Sequence, residues 1–71
     1  MNKKRQTAIT NVILSAKSEL EDLLIEEEDA MENVPESLTE TDSYAKMESA
    51  IDFLNDAISQ MDQLYDMWSE L

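Results

Sequence analysis

Seventy-one residues carry 17 Asp+Glu against 5 Lys+Arg, a formal net charge of -12. A chain this short sits near the lower limit for burying a core alone, and its charge repels DNA, RNA and anionic membranes, so its natural partners are basic surfaces. Without Cys, His or Gly it holds no disulfide framework, lacks the commonest general base and metal ligand, and forms no glycine-rich phosphate loop.

The chain opens on Lys3, Lys4 and Arg5, but Gln6, Thr7, Thr10 and Asn11 interrupt any apolar run behind them. That excludes a signal-peptide core, and no stretch approaches the roughly 20 apolar residues of a membrane span. A soluble, cytoplasmic protein is expected. High net charge favours disorder; a hydrophobic fraction of 42% at regular spacing outweighs it.

The first predicted helix covers 3–33. Ile9, Ile13, Ala16, Leu20, Leu23, Ala30 and Val34 step by four and three with one miss, at Glu27. That is a heptad seam, widened by Val12, Leu24 and Met31. Glu27, near the corner, is expected to reach water or Lys46. A corner over 34–41 follows, with the only Pro, Pro35, among Asn33, Ser37, Thr39, Thr41, Asp42 and Ser43. The residue before Pro is driven out of the α region, which stops the first helix. Thr39 with Asp42, or Thr41, starts the second helix, and Ser37 with Glu40 has the spacing to cap a short extra turn.

The second predicted helix covers 42–70. Tyr44, Met47, Ile51, Leu54, Ile58, Met61, Tyr65 and Trp68 step three, four, three, four without a miss. A second stripe runs beside them: Phe53, Ala57, Leu64, Met67 and Leu71, with Gln60 its one polar member. Together the stripes cover close to half the circumference. Two arms of about 45 Å each, joined by a short corner, define the fold class: all-α, an antiparallel two-helix coiled-coil hairpin. One partner helix covers only one seam. The surplus stripe predicts self-association as a homodimer, a four-helix bundle, or a docking face for another protein.

Charge is segregated. Residues 1–17 hold four cations and no acid; residues 18–71 hold all 17 acids and only Lys46. In a hairpin the tip cations are expected beside Asp62, Asp66 and Glu70, in cross-hairpin pairs; a nucleic-acid contact by the tip is disfavoured by the negative field around it. Glu48, Asp52 and Asp56 are spaced by four, as are Asp62, Asp66 and Glu70, opposite the apolar stripes. Like charges at that spacing destabilise a helix by a few tenths of a kcal/mol per pair. Alternating signs would solubilise the face equally well, so the row is read either as the solvated face of a protein with acidic bias or as a surface in use, carboxylates standing in for a phosphate backbone. Glu26, Glu27, Glu28, Asp29 and Glu32 form a second acidic group at the corner. That run lacks the Asp/Asn/Gly ligand pattern of an EF-hand, so no metal is expected.

No catalytic residue is assigned. Without His or Cys a narrow helix pair offers no acid–base or nucleophilic site, and Tyr44, Tyr65 and Trp68 lie on the seam as packing residues. No cofactor is implied.

The corner Asn33-Val34-Pro35-Glu36-Ser37-Leu38, followed by Ser43-Tyr44-Ala45-Lys46-Met47-Glu48-Ser49-Ala50-Ile51-Asp52-Phe53-Leu54 and Asp56-Ala57-Ile58, resembles small acidic two-helix proteins of Firmicutes and their phages. These share an (I/V)PE(N/S)L corner, a following Tyr and a Leu-x-x-Ala-Ile second helix. The similarity spans about residues 18–65; the Phe53 stripe and Trp68 are not part of it. The resemblance implies a phage or mobile-element setting. With the acidic rod it makes the leading expectation a non-enzymatic inhibitor of anti-CRISPR type, a nucleic-acid mimic occupying the basic channel of a nucleic-acid-binding nuclease. The alternatives are a structural coiled-coil module acting through its apolar stripe and an antitoxin-like binder of a basic protein.

Overall fold

A computed structural model describes residues 2–71. Helix α1 spans Lys3–Glu32 and helix α2 spans Asp42–Ser69, with a single 3-10 turn at Glu36–Leu38 between them. The helices fold back on each other into a rod of 56 × 15 × 13 Å. The expected all-α helical hairpin is what forms.

Each boundary has a local cause. The Asn2 side chain accepts from the backbone N–H of Lys4 (2.8 Å) and Arg5 (3.3 Å), satisfying two orphan donors of the first turn. At the other end Asn33 is the C-cap, its side-chain amide donating to the Asp29 carbonyl at 2.9 Å. Helix α1 therefore stops one residue before the expected 33. The chain reverses without a single positive φ among the described residues. It uses extended backbone at Pro35 (ψ 144°) and Thr41 (ψ 160°) instead, which is how a corner without Gly avoids the left-handed region. The Thr39 and Thr41 hydroxyls donate to the Glu36 and Leu38 carbonyls, each at 2.8 Å. Thr41 also accepts from the Tyr44 N–H at 3.3 Å and is the N-cap of α2, so the choice falls on Thr41 rather than Thr39. Ser37 caps nothing: it lies inside the 3-10 turn, whose N-cap is Pro35 with no side-chain bond. Helix α2 ends at Ser69, and Glu70 is its C-cap.

Two polar pins fix the pairing. Trp68 donates its indole N–H to the Thr10 hydroxyl at 2.9 Å, and Lys17 pairs with Asp62 at 2.6 Å. Counting equally from these pins sets Leu24 level with Leu54 and Met31 level with Met47. The half-buried residues of α1 are Ile9, Thr10, Ile13, Ala16, Lys17, Leu20, Leu24, Glu27 and Met31, with Val34 following in the corner; Thr10, Ile13, Lys17, Leu20, Leu24, Glu27, Met31 and Val34 step three, four, three, four. The expected seam holds at Ile9, Ile13, Ala16, Leu20 and Val34, all half-buried, and is corrected at Leu23 and Ala30, which are exposed while Leu24 and Met31 face α2. The seam rotates because Thr10 and Lys17, polar by composition, find partners on α2. Along α2 the expected seam holds at Tyr44, Met47, Ile51, Leu54, Ile58, Met61 and Trp68, with Tyr65 more open.

A buried aromatic N–H needs an acceptor, so the Trp68–Thr10 bond is testable. Trp68→Phe keeps most of the ring and removes the donor. It should cost about 1 kcal/mol, read by urea denaturation, and Thr10→Val should add little on top of it.

No described side chain is fully buried. The chain exposes 5659 Å², against roughly 4,500 Å² for a compact monomer of its mass.

Candidate functional site

The hairpin has two unlike sides. In an antiparallel pair, residues that immediately precede the first position of each three-residue seam step flank the seam on one side, in both helices. In α1 these are Ile9, Ala16, Leu23 and Ala30; in α2 they are Ala50, Ala57, Leu64 and Leu71. Residues that follow the second position of each step, such as Leu14, Glu21, Glu28, Glu48 and Asp62, lie on the other side, where Leu14 is the one exposed apolar residue among them. Lys17 ties that other side together: Asp62 and Glu21 both act on its ammonium.

The acidic side holds most of the expected site. Glu48, Asp52, Asp56, Asp62, Asp66 and Glu70 are all exposed. At 100° per residue each step of four turns about 40°, so they form two oblique rows in one band about 33 Å long, not one straight line. Asp62 is engaged with Lys17, and this is the one ion pair among the described residues. The other five carboxylates have no cationic partner there.

The Asp62 hydrogen bond, then its charge and that of Glu21, hold Lys17 above its ordinary lysine value; slight burial opposes them. A raised lysine pKa contributes stability below the unfolded value and loses it as pH rises through the folded one. At neutral pH the contribution is complete, though solvent screens it.

The corner acids do not act as one cluster. Consecutive helical residues point around the axis, so the structure distributes them. Glu28 and Glu32 border α2 beside Tyr44 and Ile51 and extend the acidic band. Glu26, with Glu19 and Asp22, borders a shallow groove floored by Ala16, Leu20 and Leu23 on the apolar side. Glu27 is half-buried on the seam and makes no ion pair with Lys46. Asp29 is exposed on the outer surface of α1. Glu21, which the sequence reading passed over, joins the band instead. No three acidic side chains converge as a metal site among the described residues.

The tip cations depart from expectation. Lys3, Lys4 and Arg5 make no ion pair with Asp62, Asp66 or Glu70. The Thr10–Trp68 register explains this: Leu71 is level with Thr7, so the first turn of α1 overhangs the end of α2. Charge also opposes the helix dipole at three of four ends. Helix α1 begins with three cations and no acid; α1 and α2 both end without a base. Each misplaced charge costs about 0.3–1 kcal/mol at low salt.

The apolar side is open. Phe53 is 69% exposed, Leu64 45% and Leu71 91%; only Ala57 of the expected stripe is half-buried. Helix α1 supplies a part that the sequence reading placed in the seam or on its flank: Leu23 at 50% and Val12 at 69% exposure. No helix of the described residues is long and apolar enough to cross a membrane.

Compared with known proteins, the sequence matches no family model, no curated protein and no solved structure.

Proposed function

We propose that the chain is a non-enzymatic acidic interaction protein that occupies the basic nucleic-acid-binding surface of a bacterial protein. The setting is that of a phage or mobile element, as the resemblance of its corner implies, and with the acidic rod it makes the chain an inhibitor of anti-CRISPR type. The observation that carries this reading is the band of five exposed carboxylates, Glu48, Asp52, Asp56, Asp66 and Glu70, without a cationic partner among the described residues. A helix tolerates like charges at four-residue spacing, and bases at its N-terminus, at a cost. Local rules broken together, without a local gain, mark surfaces kept for another purpose.

Magnitude supports the mimic. Twelve net negative charges over 56 Å amount to one per roughly 4.7 Å, against one per about 3.4 Å on a single DNA strand. A groove built for phosphates meets a comparable field and is drawn to it at long range.

The test is capture from a bacterial lysate with tagged protein, washed at about 0.1 M and then about 0.5 M salt, over which exposed charge contacts become strongly screened. A nucleic-acid-binding protein held at low salt and released at high salt is the expected result. Recovery of a partner indifferent to salt would favour the second reading, an assembly module acting through the apolar side, for which the exposed Phe53 and Leu64 speak. A released partner that is a basic toxin would make the chain antitoxin-like.

A further inference from the structure

We infer that the open apolar side is covered by a second copy of this chain, laid antiparallel, with the basic tip of each copy against the acidic corner of the other. Three independent observations carry this. The first is area. The chain exposes about 1,200 Å² more than a compact monomer of its mass should, and a stable interface takes about 800 Å² from each partner.

The second is continuity. The exposed α2 stripe at Phe53, Leu64 and Met67 and the exposed α1 residues Val12 and Leu23 flank the same side of the seam. A face formed by both helices suits another helix pair better than a single helix, and two such faces close a four-helix bundle. A two-fold axis makes the contact self-complementary and ends the assembly at two copies.

The third is charge, which fixes the direction. Lys3, Lys4 and Arg5 overhang one end of the rod without an ion pair among the described residues. The other end carries Glu26 on the apolar side and Glu36 in the corner turn, both exposed, with Lys46 the only base nearby. A parallel dimer would set corner against corner, with both tips at the far end. The antiparallel dimer sets opposite charges together twice. The acidic band lies on the other side of each copy and stays outside.

The full chain tests this directly. Sedimentation equilibrium should give twice the 8.1 kDa chain mass at tens of micromolar. The sequence has no Cys, so Ser37→Cys at the exposed corner takes a single spin label per copy. The antiparallel dimer predicts label separations approaching the 56 Å length of the rod. Separations under roughly 20 Å, about two helix spacings, would overturn the direction. A monomer at about 100 µM, its apolar side covered only by some other protein, would overturn the proposal. Lys3→Glu, Lys4→Glu and Arg5→Glu combined should weaken the dimer about tenfold or more, and unchanged affinity would remove the tip-to-corner contact. None of these readouts involves a basic partner, so the outcome is independent of the acidic-mimic reading.

Discussion

Asp52→Lys with Asp66→Lys should weaken capture of a basic partner at least about tenfold at low salt while making the hairpin more stable. Asp52 stands four residues from both Glu48 and Asp56, and Asp66 four from both Asp62 and Glu70. Two reversals therefore turn four repulsive helix pairs into four attractive ones, a gain of about 1–2 kcal/mol in all. The Lys17–Asp62 pair is left in place. The net charge falls only from -12 by four units, so solubility persists. Opposite movements of stability and binding are the signature of a surface kept for recognition. Thermal unfolding and partner capture of the double variant read both. Capture that survives the double reversal would mean the carboxylates only keep the rod in solution.

Leu23→Ala and Leu24→Ala should give unlike results although the residues are neighbours. Leu24 lies half-buried on the seam, level with Leu54, and Leu23 is 50% exposed on the apolar side. Losing Leu24 should cost about 2–3 kcal/mol of hairpin stability, toward the low end for a leucine truncation because the site is not fully enclosed. Losing Leu23 should leave dilute chain nearly unchanged and weaken self-association. Urea denaturation at low micromolar concentration reads the first effect and sedimentation the second. Equal costs at both positions, or a larger one at Leu23, would restore the seam through Leu23 and Ala30.

The same pair shows what the sequence could and could not disclose. The corner was legible because Pro35 admits few conformations; which of Thr39 and Thr41 caps α2 was not, since both have the right side chain and only the fold gives Thr41 the Tyr44 N–H. The α2 seam was legible because only one alternation of three and four runs through apolar residues without a miss; the stripe beside it is broken at Gln60. Helix α1 admits two. One runs through Ile9, Ala16, Leu23 and Ala30, the other through Thr10, Lys17, Leu24 and Met31. Hydrophobicity counted along one helix selects the first. At Leu24 and Met31 the fold takes the second, and the partners of Thr10 and Lys17, Trp68 and Asp62, are written on the other helix. The residues displaced from the seam are not wasted: Leu23, with Val12, completes the open apolar side. The acidic band was likewise legible on α2 but not in the corner run, where consecutive positions spread Glu26, Glu27, Glu28 and Asp29 around the axis. The overhanging tip depended on register, which no single-helix pattern contains.

Pairing and charge bear on one another. Two copies over the same 56 Å rod bring the density to one negative charge per roughly 2.3 Å, between that of a single strand and the 1.7 Å of duplex DNA. The apolar side would then concentrate the field that the acidic side presents.

The most direct measurement of the central claim is displacement. A nucleic-acid-binding protein recovered by salt-sensitive capture is loaded with a fluorescent oligonucleotide, and the acidic chain is titrated in at about 0.1 M salt. The oligonucleotide should leave as the chain binds, and the midpoint should move to higher chain concentration as salt rises, because screening weakens exposed charge contacts. A complex in which chain and oligonucleotide are bound together, neither affecting the other, would contradict the account.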